Sequence, residues 1–430
     1  MTATSYEGVP GISRDDEQRV GTLVMKFGGT SVGNPDRLKA VAQRIVAAKE
    51  GGGRVVAVLS AMGDTTDELV DLAHRVSDTP KPRAMDMLIS VGERISCALA
   101  EMAIEDLGHQ AISLTGSQAG IVTDTTHTKA KIVEVRAQRI HAALDEGKIV
   151  LVAGFQGVST GFEITTLGRG GSDTTAVALA SALGAECCEI FTDVEGVYTA
   201  DPRVVPGARK LPVVTYEEML EMSASGAKVM ALRSVEFARN HGVRLHVRST
   251  FSESPGTWIR EEDEKLLEKA IISGVTHDTS EAKLTVMGVP DRPGVAARIF
   301  RALADSGVNI DMIVQNVSAE GLTDISFTMP KSDLRVAEPI LQLGCTEVGA
   351  RGWTQDSDIA KVSLIGAGMR SHPGVAADMF EALSDAGINI EIISTSSIRI
   401  SCVVRASEVE RAVQTIHQKF EILAAERADA

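Results

Sequence analysis

Aromatic residues are scarce in this sequence of 430 residues, because phenylalanine, tyrosine and tryptophan together make up 3% of it. Proteins that bind single-stranded nucleic acid stack bases on aromatic side chains, so such a platform would have little to be built from. Basic residues are also outnumbered, with 43 Lys and Arg against 58 Asp and Glu. No nucleic-acid partner is therefore expected. Positive potential for an anionic ligand must be local, supplied by a few side chains and backbone N–H groups.

Other common features are missing as well. No stretch approaches the ~20 apolar residues of a membrane-spanning helix, so no membrane association is expected. The five cysteines include no Cys-x-x-Cys pair, which argues against a disulfide framework or a zinc site and favours reduced thiols in the cytoplasm. Residues 1–21 lack the apolar core of a signal peptide and are predicted to be a disordered leader.

Length and pattern indicate several α/β units. At ~150 residues per domain the chain corresponds to about three domains. From Leu23 onward, short apolar runs alternate with helical periodicity, which is typical of a mainly parallel sheet sandwiched by helices. One long helix is expected from Met85 to Met102, and the predicted strands include residues 23–27, 55–59, 149–153 and 189–192.

The C-terminal third contains an internal repeat. Residues 293–313 match residues 373–393 at 13 of 21 positions, with an offset of 80. Each copy follows a strand-like segment and combines a Pro-Gly turn, an amphipathic helix and a Gly-x-Asn-Ile turn, which together form half of a ferredoxin-like module. Two copies are too few for a solenoid, so a pair of small domains is the simplest arrangement.

Two glycine-rich loops follow predicted strands. In the first, residues 26–31, glycines let backbone N–H groups approach phosphate oxygens, and Lys26 adds charge where negative charge builds up. The loop is not a Walker A motif, and alone it fits a tight turn equally well. In the second, residues 165–175, the guanidinium of Arg169 can hold a carboxylate through two parallel hydrogen bonds. Ser172 or Asp173 could instead only cap the following helix.

The remaining candidate residues are ambiguous by themselves. Acidic groups in residues 192–203 could position Mg²⁺-bound water or contact ribose hydroxyls, but Asp, Gly and Pro also make turns. The alternative interpretation of Glu93 is a local ion pair, and that of Lys228 is a solvated lysine on a helix surface. None of the nine histidines forms a nucleophile arrangement with Cys or Ser, so a hydrolase has no support.

Taken together and in order, these motifs resemble the aspartate kinases. The resemblance implies an amino-acid-kinase domain (22–265), a first ferredoxin-like βαββαβ ACT domain (281–359) and a second ACT domain (266–280 with 360–430). The motifs that carry it are residues 26–31, 60–63, 92–94, 166–173 and 193–203 and the paired Pro-Gly-Val-Ala repeats.

The resemblance implies that ATP, with Mg²⁺, phosphorylates the β-carboxylate of L-aspartate to give 4-phospho-L-aspartate. This reaction begins the synthesis of lysine, threonine and methionine. A carboxylate is already ionised at pH 7, so its attack needs no general base and catalysis reduces to alignment and charge stabilisation. That logic accounts for the lack of a catalytic histidine.

The same resemblance implies roles for individual residues. Lys26, Arg169 and Asp193 would be catalytic, with Arg169 on the α-carboxylate of aspartate and Glu93 on its ammonium. No dedicated metal ligand is expected, because phosphates and water would hold most of the Mg²⁺. The other aspartate-site residues would be Thr30, Ser31, Thr65, Gly170, Gly171, Ser172 and Asp173. The other nucleotide-site residues would be Gly28, Gly29, Ser60, Thr192, Tyr198, Asp201, Pro202, Arg203 and Lys228.

In ACT domains the resemblance implies an effector site between two modules, with lysine, threonine or both as effectors. The modules would also support a homo-oligomer or association with a shorter regulatory subunit, and dimerisation alone stays an alternative role. The candidate effector residues are Asp291, Gly294, Val295, Asn309, Gln315 and Asn316 in one copy and Asn389, Ile390, Thr395 and Ser396 in the other.

Two other functions fit the sequence less well. A related kinase acting on acetylglutamate, glutamate or a nucleoside monophosphate would generally lack the duplicated ACT tail. A catalytically silent amino-acid sensor would not need Lys26, Arg169 and Asp193 together.

Overall fold

The computed structural model describes residues 21–261, 272–315, 321–366 and 374–428. The predicted leader lies outside these residues except for Gly21. The described chain packs as two units. The first contains residues 21–197, 210–223 and 228–261, and the second contains Tyr198–Arg209, Ala224–Ala227 and the described residues from 272 onward.

The first unit is built on a large sheet covered by helices. Its strands are β1 (Thr22–Phe27), β2 (Arg54–Leu59), β3 (Ala111–Leu114), β4 (Ile121–Thr123), β5 (Ile132–Val135), β6 (Ile149–Ala153), β7 (Gln156–Ser159), β8 (Ile164–Thr166), β9 (Cys187–Thr192), β10 (Val213–Thr215), β11 (Leu245–Ser249) and β12 (Thr257–Arg260). Its helices are α1 (Pro35–Glu50), α2 (Thr65–Val76), α3 (Pro82–Ile89), α4 (Val91–Asp106), α5 (Gln138–Asp145), α6 (Gly171–Ala182), α7 (Tyr216–Ala224) and α8 (Leu232–His241).

The eight-stranded sheet has the order β10-β12-β11-β9-β1-β2-β6-β3, and only the β11–β12 pair is antiparallel. Side chains alternate between the two faces of a strand. Accordingly, Met25 and Phe27 of β1 join the buried cluster formed with α1 and α4. Lys26 points to the opposite face, where α6 packs on the sheet. A smaller sheet has the order β5-β4-β7-β8.

The single long helix expected from Met85 to Met102 is wrong, because α3 ends at Ile89 and α4 begins at Val91. The N–H of the residue between them, Ser90, still donates to the Asp86 carbonyl of α3 (3.1 Å), but its other polar groups bond elsewhere. Its hydroxyl donates to the Met87 carbonyl (3.2 Å) and its own carbonyl accepts from Gln156 Nε2 (2.7 Å). Serine side chains compete with helical hydrogen bonds in this way, and apolar periodicity alone does not reveal such a break.

The second unit contains two four-stranded antiparallel sheets, ordered β15-β16-β14-β17 and β13-β18-β20-β19. The strands are β13 (Gly274–Asp278), β14 (Glu281–Pro290), β15 (Ile313–Gln315), β16 (Leu322–Pro330), β17 (Gly352–Asp356), β18 (Ile359–Ile365), β19 (Ile392–Thr395) and β20 (Arg399–Arg405). The helices are α9 (Val295–Asp305), α10 (Leu334–Val348), α11 (Val375–Asp385) and α12 (Val409–Ala428).

These sheets belong to two ferredoxin-like modules, so the predicted fold class is confirmed. In the first module the order of elements is β14-α9-β15-β16-α10-β17, and the last strand lies beside the first. In the second module that edge position is taken by β13, which precedes the first repeat in sequence and pairs with β18. The assignment of residues 266–280 to the second ACT domain implies such a pairing, which is present over Gly274–Asp278, whereas the domain boundaries stay predictions.

Two lysines, one of them fully buried, form ion pairs between the two modules of the second unit. Lys361 of β18 has no exposed side-chain surface and donates to Glu281 of β14 (2.7 Å) and to Asp311. Lys283 of β14 pairs with Glu391. Asp311 and Glu391 are equivalent positions of the repeat, 80 residues apart. Each module therefore holds the acidic residue that precedes the second strand of the other.

Residues 198–209 pack into the core of the second module. Ala200 and Val205 belong to the buried cluster that contains Leu383 of α11 and Ile416 of α12. Thr199 accepts a hydrogen bond at its carbonyl from the backbone N–H of β13 residue Val275 (2.8 Å), and its hydroxyl lies 2.9 Å from His417 Nε2. This segment from the middle of the predicted catalytic range is thus a structural part of the second unit.

None of the helices in the described ranges combines the length and apolar character needed to cross a membrane. All five cysteines are free.

Replacing Lys361 by methionine should destabilise the second unit. Burial tends to lower the pKa of Lys361, but the carboxylates of Glu281 and Asp311 outweigh it and raise the pKa, so the lysine is a buried cation. Removing one partner of a buried ion pair costs about 3–5 kcal/mol. We expect a loss of this size in urea denaturation followed by Trp353 fluorescence, in a Trp258→Phe background that leaves one tryptophan.

The matched control is Lys419→Met, which removes a surface ion pair with Glu381 (2.8 Å) in the same unit. This control should leave the urea midpoint unchanged. A Lys361→Met protein as stable as the control would contradict the assignment of a buried cation.

Candidate active site

Lys26 brings the two glycine-rich loops together. It lies at the end of β1, and its Nζ is 2.6 Å from Asp173 Oδ1 in the first turn of α6. Both side chains are largely buried, with 12% of their surface exposed. The ammonium therefore lies at the start of a helix, where backbone N–H groups also favour anions. The Lys26 ammonium is thus held at this point by a carboxylate of the adjacent helix.

The first glycine loop also contacts the turn after β2. The carbonyl of Gly29 accepts a hydrogen bond from the Gly63 N–H (3.1 Å). A Cβ at position 29 would lie 3.0 Å from the Ala61 carbonyl oxygen and 3.1 Å from that of Gly63. Both are backbone atoms that cannot rotate away, so glycine permits this approach. Ser60, just after the end of β2, also contacts the end of β1, since its N–H donates to the Phe27 carbonyl (3.1 Å).

Glu93 lies beneath this turn at the start of α4. Its side chain is buried, and Oε1 accepts from the Ala61 N–H (3.3 Å) while Oε2 has no hydrogen-bond partner among the described residues. Burial raises the pKa of Glu93 to about 7, against smaller lowering contributions from two backbone N–H groups and Arg94. Arg94 donates its Nε to Gln156 Oε1 (3.2 Å). One oxygen of this buried carboxyl is thus left without a hydrogen-bond partner within the described part of the chain.

The loop before α6 presents Arg169 to solvent. It is exposed and lies between Gly168 (φ 79°) and Gly170 (φ 72°), both in the left-handed region that favours glycine. Gly170 is the N-terminal cap of α6, without a side-chain cap hydrogen bond. The alternative in which Ser172 or Asp173 serves only as a helix cap is therefore wrong.

Other predicted residues surround these loops. The Ser31 and Thr250 hydroxyls are 2.7 Å apart, and the Thr250 N–H donates to the Thr192 carbonyl (2.8 Å), which links the first loop to the end of β9. Thr192 also donates its hydroxyl to Asp193, whose side chain is exposed. Thr30 is exposed in the short 3₁₀ helix Gly29–Val32, and Thr65 begins α2.

Comparison with known proteins identifies families that match both parts of the chain. The amino acid kinase family matches residues 21–249, and ACT domains match residues 283–343 and 362–420. The aspartokinase of Mycolicibacterium smegmatis is 57% identical over 402 residues, covering 93% of this chain and 96% of the relative. That of Corynebacterium glutamicum is 54% identical over 408 residues, with the same coverage.

The chain belongs to the aspartate kinase family. Its activity is that of an aspartate kinase (EC 2.7.2.4), which uses ATP and carries ACT regulatory domains.

Among solved structures, E. coli aspartokinase III in complex with aspartate and ADP (R-state) has a TM-score of 0.80 at 25% identity, covering 93% of this chain and 99% of that one. The same aspartate kinase in complex with lysine and aspartate (T-state) has a TM-score of 0.71 at 26% identity, covering 92% and 99%.

The predicted nucleotide residues of this aspartate kinase fall in both units. Lys228 is exposed in the first unit, whereas Tyr198, Asp201, Pro202 and Arg203 belong to the second. Within the second unit, the Arg203 guanidinium donates to both carboxylate oxygens of Asp201, from Nε to Oδ1 (3.0 Å) and from Nη2 to Oδ2 (2.7 Å). These hydrogen bonds lower the pKa of Asp201. Their contact with a nucleotide stays a prediction.

A cleft of about 310 Å³ opens in the first ACT module beside the Pro-Gly turn. Of the predicted effector residues, Asp291, Gly294, Val295 and Gln315 line it. Asn309 is exposed in the turn after α9, and Asn316 lies outside the described residues. In the second module, Asn389, Thr395 and Ser396 are exposed and Ile390 packs against the core.

The sequence analysis did not identify two residues that support the Arg169 loop. Arg233 of α8 donates to the carbonyls of Leu167 (3.0 Å) and Ala130 (2.9 Å), and burial lowers its pKa. Asp86 of α3 is fully buried and accepts from the Thr166 hydroxyl (2.5 Å). The sequence signal that could have identified Asp86 is its position as the single charged residue in the otherwise apolar run 85–89.

Proposed function

We propose that Lys26, Glu93 and Arg169 carry phosphoryl transfer to aspartate in this chain. The observation that supports this most is the 2.6 Å contact between Lys26 and Asp173, because it brings one glycine loop to the start of the other. Lys26 stabilises the charge that spreads over the transferring phosphoryl group. The acceptor carboxylate attacks without a general base, so alignment by fixed groups is the main catalytic task.

In this proposal the two ends of aspartate bind to opposite charges. Arg169 holds the α-carboxylate through its planar guanidinium, since the loop leaves that group exposed. Glu93 receives the ammonium through the oxygen that lacks a partner. The E. coli aspartokinase III that contains aspartate and ADP supports the choice of ligands, because its fold is shared over 93% of this chain.

The residues present fit a magnesium ion carried by the nucleotide. Within the described ranges, no group of three or more His, Cys, Asp or Glu side chains could hold a metal. Kinases usually bind Mg²⁺ through one or two carboxylates together with phosphate oxygens and water. The exposed carboxylate of Asp193 at the end of β9 provides such a ligand. When bound, the ion would neutralise phosphate charge.

Hydroxylamine trapping tests this assignment. Purified protein with Mg²⁺-ATP and L-aspartate should form aspartyl hydroxamate, and Lys26→Ala should lower kcat by about 10²–10³-fold because a charge on the transferring group is lost.

Lys39→Ala, an exposed lysine of α1, is the matched control and should keep full activity. Phosphorylation of N-acetylglutamate with none of aspartate would contradict the substrate, and an active Lys26→Ala variant would contradict the role of Lys26.

The pKa of Glu93 predicts a pH dependence of aspartate use. A carboxyl with a pKa of about 7 is mostly protonated at pH 6 and mostly ionised at pH 8. Only the ionised form pairs with the substrate ammonium, so kcat/KM for aspartate should rise by about tenfold from pH 6 to pH 8.

Glu93→Gln should lower kcat/KM at pH 8 and remove this rise, since its amide does not titrate. A rise of equal size in Glu93→Gln would assign the titration to another group.

We further propose that lysine, threonine or both bind the cleft of the first ACT module. Asp291 and Arg292 place opposite charges at its edge, next to the start of α9 at Gly294. These groups suit the ammonium and carboxylate of a free amino acid. The lysine complex of E. coli aspartokinase III supports the effector class.

Lysine and threonine, alone or combined, should therefore lower activity at millimolar concentrations. Asp291→Asn should raise the half-inhibitory concentration by about tenfold, the effect of losing one charged hydrogen bond of about 1.4 kcal/mol, without changing the uninhibited rate. Asp305→Asn, at the far end of α9, is the control. Unchanged rates with both amino acids would contradict the proposal.

We also propose that the ACT modules associate with a second chain, either another copy or a shorter regulatory subunit. Ile313 of β15 and Ile393 of β19 are equivalent in the repeat and remain about half exposed on edge strands. Paired apolar edges of this kind suit strand-to-strand association.

The free cysteines support the expected cytoplasmic location.

A further inference from the structure

The strand end that leads into the Arg169 loop is hydrogen-bonded to a buried carboxylate, Asp86. Asp86 of α3 has no exposed surface, yet none of the proposed reacting groups contacts it. Its oxygens accept from the Thr166 hydroxyl (2.5 Å), the Thr128 N–H (3.1 Å to each oxygen) and His127 Nδ1 (2.6 Å). One side chain thus connects α3, the segment 127–130 and the end of β8.

The segment 127–130 in turn shapes the Arg169 loop. Thr128 adopts a φ of 65°, an unusual backbone conformation for a β-branched residue, and persists there because its N–H is bound by Asp86. A Cβ at position 168 would lie 3.0 Å from the Thr128 carbonyl oxygen. The loop residue that precedes Arg169 is therefore packed against a backbone conformation that Asp86 maintains.

Three further hydrogen bonds complete this framework. The Ala130 N–H donates to the Thr166 carbonyl (2.9 Å), and Arg233 bridges the carbonyls of Leu167 and Ala130. Thr166 and Leu167 are the residues from which the chain enters the Gly168–Arg169–Gly170 turn. With glycines on both sides of Arg169, the turn has little stiffness of its own. Its direction therefore depends on what holds residues 166 and 167, together with the start of α6.

We propose that Asp86 is a positioning residue for Arg169, acting through Thr166 and Thr128, and that it thereby sets the affinity for aspartate. This inference rests on the proposed role of Arg169 in binding the α-carboxylate. A displacement of about 1 Å in such a group can cost up to about 10²-fold. Asp86→Asn replaces one acceptor oxygen with a donor that faces other donors, so the framework must shift.

The experiment compares binding of the two substrates. Asp86→Asn and Thr166→Val should each raise the dissociation constant for aspartate at least tenfold by calorimetry and leave that for ATP within twofold. Thr166→Ser keeps the hydroxyl and should stay within twofold of wild type for both. If Asp86→Asn does not fold, the Thr166→Val and Thr166→Ser pair provides the same test. Equal weakening of aspartate and ATP, or unchanged aspartate binding in folded variants, would overturn the proposal.

A double-mutant cycle separates positioning from a general effect on stability. Arg169→Lys keeps the charge but loses the planar pair of hydrogen bonds. If Asp86 acts through Arg169, Asp86→Asn should weaken aspartate binding much less in the Arg169→Lys background than in wild type. Equal losses in both backgrounds would overturn the proposal.

The same cycle distinguishes the two levels of inference. Unchanged aspartate binding in Arg169→Lys would refute the proposed role of Arg169 and the positioning role with it. If Arg169→Lys weakens aspartate binding but Asp86→Asn leaves it unchanged, only the positioning role would be refuted.

Discussion

The ion pair between Lys26 and Asp173 is the contact on which the rest of the catalytic unit depends. Each partner lies on a rigid element, the lysine on a central strand and the aspartate in a helix buried from Gly171 to Ala180. Side chains anchored in this way lose little further freedom when a ligand arrives. In the proposed reaction, phosphate oxygens would compete with Asp173 for the same ammonium, which is otherwise held by this ion pair.

Local patterns were sufficient to predict the framework around this pair. Strands β1, β2 and β6 were predicted nearly to the residue because buried parallel strands are short apolar runs bounded by turns. The repeat identified the two regulatory modules in the same way. The break at Ser90 was not predicted, because helical periodicity continues across it and the Gln156 amide that binds its carbonyl lies 66 positions away.

The candidate site shows a similar division. Glycine spacing pointed to Lys26 and Arg169, but not to the residues that support them. Asp86 meets partners 41, 42 and 80 positions away, and no sequence period encodes such distances. Likewise, whether Ser172 or Asp173 caps α6 depended on the position of the left-handed Gly170, which only the folded backbone reveals. The chemical roles of the site residues remain predictions.

In the regulatory unit, charge enforces a particular pairing of the modules. An ammonium without solvent, as at Lys361, is tolerated because carboxylates of the other module surround it. Hydrophobic residues could fill the same volume. A buried ammonium, however, strongly disfavours any arrangement of the two modules that separates it from its carboxylate partners. The repeated use of a first-strand lysine makes the arrangement nearly symmetric.

The packing of residues 198–209 against α12 limits how this protein can be recombined with its relatives. A chimaera joined between β12 and β13 would exchange α11 and α12 but retain Ala200 and Val205, whose neighbours in the buried cluster would then come from the other protein. Such a junction divides a hydrophobic core, even though it lies between the region matched by the amino acid kinase family and the regions matched by ACT domains. An exchange of regulatory halves must therefore carry this internal segment along with the C-terminal helix.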